Sequence, residues 1–281
     1  TTNSVLGKND INHAFMHLAQ DAIGDQWIFL ATDRRDVTGS SYIDFELFQN
    51  TVTDNPDGSF TSLGPDGGRT VGDILLTVEY SNGGDNVNIL FYRWESVGGP
   101  NFGYVNQSIP TSPVIETGLT NVSGFTIPYE AFGSFSYGPY QFVEAAINIT
   151  AIFNTVVGDI CEGIIVQSLL IKTKASSSAS ANLSDFVGPV PVNLGIGTAT
   201  IAYDDACADE STIPVQLIGV DGGTYSATPA GLTIDGSTGE IDVTTSTPGT
   251  YIVTYQYGPV FCDKTAVTEV TIFNNPIAPP S

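Results

Sequence analysis

Positive charge is the scarcest commodity in this chain. Eight Lys and Arg stand against 30 Asp and Glu among 281 residues, a net charge of −22. Nucleic-acid binding needs a basic footprint on phosphate, so that class is excluded, as is docking on an anionic membrane surface. Long apolar runs are also missing: none approaches the roughly 20 residues of a membrane-spanning helix. Cysteine is limited to Cys161, Cys207 and Cys262, an odd and sparse set that points only weakly to an oxidising compartment. Histidine is limited to His13 and His17. On a helix these two would lie one turn apart and could share a zinc; on a strand they lie about 13 Å apart and cannot. The zincin pattern needs Glu after the first His, where Ala14 stands, so the stretch reads as a strand. GxSxG and P-loop motifs are absent. The chain lacks an initiator Met and a signal peptide, and its first residues predict an excised or processed piece of something longer.

What is present is β-forming. Thirty glycines and 16 prolines supply turns, and 41% hydrophobic residues supply a core. The chain is organised around residues 25–50, two strands joined by a charged loop. Trp27, Phe29 and Ala31 share one face of the first. In the second, Ile43, Phe45 and Leu47 share one face, and Tyr42, Asp44, Glu46 and Phe48 the other. The loop Asp33-Arg34-Arg35-Asp36 predicts a structural ion cluster, with Arg34 forming a planar pair with Asp33, Asp44 or Glu46. Residues 51–70 read as a hairpin loop; Pro56 spoils any calcium-loop pattern there. Residues 72–94 are the clearest hairpin, turning at Ser81-Asn82-Gly83-Gly84-Asp85.

Residues 98–138 are loop-heavy, with a short edge strand at Phe125–Pro128. The aromatics Phe132, Phe135, Tyr137 and Tyr140 either line a sugar groove or plug the end of a sandwich. Further strands are predicted over 143–153, 164–174 and 176–187. Asp185 falls on the apolar face of the last, where a carboxylate needs a hydrogen-bonding partner or a metal, calcium being the ion that fits an acidic chain. Gly188-Pro189-Val190-Pro191 marks a domain boundary. After it, short strands recur every 8 to 12 residues, the spacing of an Ig-like sandwich. The expected layout is all-β: a large jelly-roll-like sandwich over 1–188, a linker at 189–193, an Ig-like sandwich over 194–274 and a linker at 275–281.

Three stretches, WIFLATDRRDVTGSSYIDFELFQN, GDILLTVEYSNGGDNVNILFYRW and IKTKASSSASANLSDF, together resemble a jelly-roll-like domain of very long secreted bacterial surface proteins. The chain departs from that pattern in Thr32 before Asp33 and in a second arginine, Arg35. The stretch GGTYSATPAGLTIDGSTGEIDVTTSTPGTYIVTY is similar to tandem Ig-like repeats in surface proteins of gliding and other Bacteroidota, exported by type IX secretion. The resemblance implies a non-catalytic module pair of a cell-surface adhesin or filament protein, with no cofactor unless calcium. Its implied partners are neighbouring domains of the same chain, surface glycans or abiotic surfaces. Similar repeats often carry cysteines at the places of Cys207 and Cys262. The first and last strands of an antiparallel sandwich can be neighbours, so these two are expected to pair, with Cys161 left as a buried thiol; three reduced cysteines is the alternative. A carbohydrate-binding module is the second functional reading. A glycosidase using Asp44 and Glu46 is the third.

Overall fold

The computed structural model describes residues 5–22, 24–84, 86–108, 115–153, 163–258 and 264–274. It is all-β, with 59% strand and 4% helix, and it divides into two compact units, the main break falling between Leu194 and Gly195.

The first unit holds strands β1 (Ala14–Gln20), β2 (Gln26–Asp33), β3 (Ser41–Phe48), β4 (Val52–Asp54), β5 (Phe60–Ser62), β6 (Ile74–Ser81), β7 (Asn86–Gly98), β8 (Asn101–Gln107), β9 (Ile115–Thr120), β10 (Phe125–Ala131), β11 (Ser134–Tyr137) and β12 (Phe142–Asn148). A four-residue helix α1 (Ile149–Ile152) follows, then β13 (Ile164–Lys174) and β14 (Leu183–Ile196). Two sheets dominate, a four-stranded one in the order β1-β2-β12-β9 and a six-stranded one in the order β14-β13-β3-β6-β7-β8. Alternation decides what each presents to the core. Ile28, Leu30, Val143 and Ile147 of the smaller sheet are buried, as are Ile43, Phe45, Leu47, Ile74, Leu76, Val78 and Phe91 of the larger. The Tyr80 hydroxyl of β6 donates to the Thr32 carbonyl of β2 at 3.4 Å, linking the two sheets of the sandwich.

Several local expectations change. The alternating pattern of 143–153 does not stay a strand: Asn148 ends β12, and its side-chain oxygen accepts the Ala151 N–H at 2.8 Å, capping α1. The strand expected from Ser176 begins only at Leu183, because Ala181 N–H bonds Ser178 C=O at 3.0 Å in a serine-rich turn. The Gly188–Pro191 stretch lies inside β14. Proline cannot donate to a ladder, and β14 tolerates Pro189 and Pro191 because it is a sheet edge.

The second unit carries β15 (Ala199–Ala202), β16 (Ala206–Cys207), β17 (Thr212–Ile213), β18 (Gln216–Gly219), β19 (Thr224–Thr228), β20 (Thr233–Ile234), β21 (Ile241–Asp242), β22 (Gly249–Tyr257) and β23 (Lys264–Phe273). Its sheets run β15-β18, β16-β23-β22-β19 and β17-β21-β20. The core joins Ile201, Ile213, Ile241, Val253, Val270 and Ile272 to a run of tyrosines. Tyr255 stacks on Tyr225 and Tyr257, with ring centroids 4.4 and 5.4 Å away. Gly239 sits at φ +74 beneath this layer, where a Cβ would come within 2.8 Å of the Tyr225 ring, so only glycine fits.

Cys161 and Cys262 lie outside the described residues. Cys207 is half-buried and pairs beside Phe273, at the far end of β23 from Lys264. The expected Cys207–Cys262 pair therefore falls outside the described residues.

Candidate functional site

The charged loop does not form one cluster. Asp33 ends β2 fully buried and accepts the backbone N–H groups of Asn12 and His13 at 2.7 and 2.8 Å, with His13 Nδ1 at 3.1 Å. The Tyr137 hydroxyl donates to it at 2.6 Å. Burial, together with that bond to an acid, pushes the Tyr137 phenol well above its usual pKa. Arg34, expected to pair with a carboxylate, instead donates to the Tyr140 carbonyl (3.1 Å), the Gly83 carbonyl (2.8 Å) and the Ser41 hydroxyl (3.0 Å), its guanidinium 4.4 Å from the Tyr80 ring centre. Arg35 pairs with Asp10 at 3.0 Å on the surface. Asp36 is exposed, its backbone N–H bonded to the Gly7 carbonyl at 3.0 Å.

Asp44 and Glu46 are both fully buried, on the face of β3 turned away from the core. Glu46 is held by Lys172, Arg69 and the Tyr104 hydroxyl. Burial alone would raise its pKa, but Lys172 and Arg69 together hold it below the ordinary value. Asp44 meets Lys174 at 2.8 Å and the Thr77 hydroxyl at 2.6 Å. Neither carboxylate reaches solvent, so neither can meet a glycosidic bond in this structure.

Asp185 is half-buried rather than sunk in an apolar face, and it accepts the Ile11 N–H at 3.2 Å. Among the described residues no three His, Cys, Asp or Glu side chains converge as metal ligands. The four aromatics expected at a sugar groove are scattered. Tyr137 is buried, Phe132 lies half-buried under Arg35, Phe135 is 61% exposed, and Tyr140 packs where its carbonyl serves Arg34.

The groove is elsewhere, on the outer face of the four-stranded sheet. Register aligns Phe15, Ala31, Glu144 and Leu119 in one row across β1, β2, β12 and β9, and His17, Phe29 and Ala146 in the next. Alanines at the middle of each row leave a low floor. Tyr129 of β10 and Phe142 of β12 add further rings, and the space enclosed is about 610 Å³. Phe15 and Phe29 are 43% and 44% exposed, large apolar surfaces that a sandwich would ordinarily turn inward. His17, Glu144 and the Tyr129 hydroxyl bring polar groups to the groove. The sequence places Phe15 between two histidines of one strand face, and Phe29 beside Ala31, but nothing in the alternation says which face of β2 meets solvent. No protein-family model matches the chain, and comparison with curated proteins finds no match.

Proposed function

We propose that this chain is a non-catalytic module pair of a large extracellular bacterial surface protein, an adhesin or filament component, whose first unit holds its ligand on the four-stranded sheet. The observation that carries the reading is the open aromatic groove of Phe15, Phe29, Tyr129 and Phe142 over an alanine floor. Its volume falls in the range of small-molecule sites, and its make-up of apolar rings with few polar groups is that of a binding surface. The carboxylates best placed for glycoside chemistry are sealed and neutralised by cations, which supports binding without turnover. Neighbouring domains of the same long chain are the expected structural partners.

The occupant that fits is a neutral saccharide of a surface glycan. Apolar ring faces pack against the C–H faces of a pyranose, and Glu144 accepts from its hydroxyls. A chain of net charge −22 repels an anionic ligand. The same rings favour the second reading, a carbohydrate-binding module of a secreted protein. The two differ in the ligand presented: an adhesin holds beads coated with intact surface glycan, whereas a carbohydrate-binding module also binds short soluble oligosaccharides. On an array of neutral glycans, Phe29→Ala and Tyr129→Ala should each cut retention at least tenfold with an unchanged melting temperature. Retention equal to that of the unaltered protein, or no retention by that protein on any neutral glycan, would remove the groove as the binding site.

A further inference from the structure

Two lysines of β13 face two carboxylates of β3 across one ladder, and their surroundings differ. Lys172 lies opposite Asp44, and Leu170 opposite Glu46. Each lysine reaches diagonally: Lys172 to Glu46, and Lys174 to Asp44 at 2.8 Å. The first pair is an ion pair with every oxygen held. Glu46 Oε1 takes Arg69 and the Tyr104 hydroxyl, Oε2 takes Lys172, and the Lys172 side chain is 13% exposed. The second pair is closed. Lys174 is 1% exposed, and its Nζ sits 3.2 Å from Thr77 Oγ1 and 5.9 Å from the centre of the Tyr92 ring. Asp44 Oδ1 accepts the Thr77 hydroxyl at 2.6 Å. Oδ2 is buried, and among the described residues nothing hydrogen-bonds it. Burial raises the Asp44 pKa above its ordinary 3.8 against the pull of Lys174, whereas Lys172 and Arg69 hold that of Glu46 below its ordinary value.

We propose that Lys174 and Asp44 condense after folding into an intramolecular isopeptide bond between strands β13 and β3. An isolated ion pair in a dry site keeps two desolvated charges. Moving one proton from the ammonium to Oδ2 of the carboxylate gives an amine and a carboxylic acid whose carbonyl oxygen is Oδ1. The Nζ lone pair then attacks Cγ, and the carbonyl electrons move onto Oδ1, where the Thr77 hydroxyl donates. Oδ2, which no other group retains, takes one proton from Nζ and leaves as water while the carbonyl re-forms. The balance is amine plus acid to amide plus water, with no oxidant, metal or cofactor. Both buried charges disappear, and the amide oxygen keeps its bond from Thr77. Glu46 does not react because an ionised carboxylate held by two cations is a poor electrophile. The proposal rests on side-chain geometry and is independent of the ligand-binding reading.

The test is the intact mass of the purified full chain under denaturing conditions. The expected mass is one water below that of the sequence, with a branched peptide linking residues around 44 and 174 after proteolysis. Lys174→Arg and Asp44→Ala restore the full sequence mass, and Lys172→Arg keeps the deficit. The full sequence mass in the unaltered protein overturns the proposal outright, whether or not any variant folds. A deficit that persists in Lys174→Arg overturns the assignment to these residues.

Discussion

Arg34 shows how a single residue can organise its surroundings without an opposite charge. Burial lowers its pKa, and the Tyr80 ring is its nearest compensation beyond three oxygen acceptors. Those acceptors come from positions 7, 49 and 106 residues away in sequence, so the guanidinium ties the β6–β7 turn and the approach to β12 to the end of β2. The fit depends on Gly84 at φ +108, where a Cβ would lie 2.7 Å from an Arg34 nitrogen. Arg34→Ala removes the donor to one buried and two half-buried acceptors and opens a void, so it should cost about 3 kcal/mol or more in chemical denaturation. Arg34→Lys keeps the charge but loses the planar fork, and should recover only part of that loss. Equal stability of Arg34→Ala and the unaltered protein would show that the cage contributes nothing. The acceptors explain why the sequence misleads here: neighbouring acids suggest a salt bridge, while the true partners are carbonyls brought in by tertiary structure.

At the scale of elements, the Glu46 cluster fastens a long excursion of chain to the sheet. Residues 49–73 leave β3, form the β4–β5 hairpin and return to β6, with Arg69 as their inward anchor. Arg69 lies 4.8 Å from the Trp94 ring centre and 5.2 Å from that of Tyr104. Arg69→Ala should lower stability by about 2–3 kcal/mol and speed amide exchange across residues 63–72 more than elsewhere. Uniform exchange changes would contradict the anchoring role. The pH dependence has a definite sign. The folded pKa of Glu46 lies below its ordinary 4.5, so its contribution is fully present above 4.5 and is lost as pH falls through the folded value. Arg69→Ala removes part of that lowering, so the variant should lose less stability than the unaltered protein on acidification below 4.5. The alternation of β3 and β6 was legible because period-2 patterning states directly which residues share a face. The cap at Asn148 was hidden because the apolar alternation runs on past it. The groove was hidden because its rings come from β1, β2, β10 and β12, and only pairing reveals that Ala31 and Ala146 leave room between them.

At the scale of the whole molecule, two cores of different character divide the chain. That of the second unit is made from residues between Ala199 and Ile272, with a tyrosine layer in place of the aliphatic ladders of the first. Its hydroxyls are satisfied locally: Tyr203 donates to Gly239 C=O at 2.7 Å, Tyr255 to Val220 C=O at 3.0 Å and Tyr251 to Thr247 C=O. A small sandwich whose buried polar groups find partners within itself has what independent folding requires, though domains of this size bury only about 60% of their unfolded surface and are marginal. Residues 195–281 produced alone should therefore unfold in a single cooperative transition, with coincident midpoints by tyrosine fluorescence and far-ultraviolet circular dichroism. Adding reductant tests the cysteine pair expected from the sequence: a midpoint that falls supports a Cys207–Cys262 bond, and one that does not move removes it. The absence of any cooperative transition would mean that the tyrosine core needs the first unit to form.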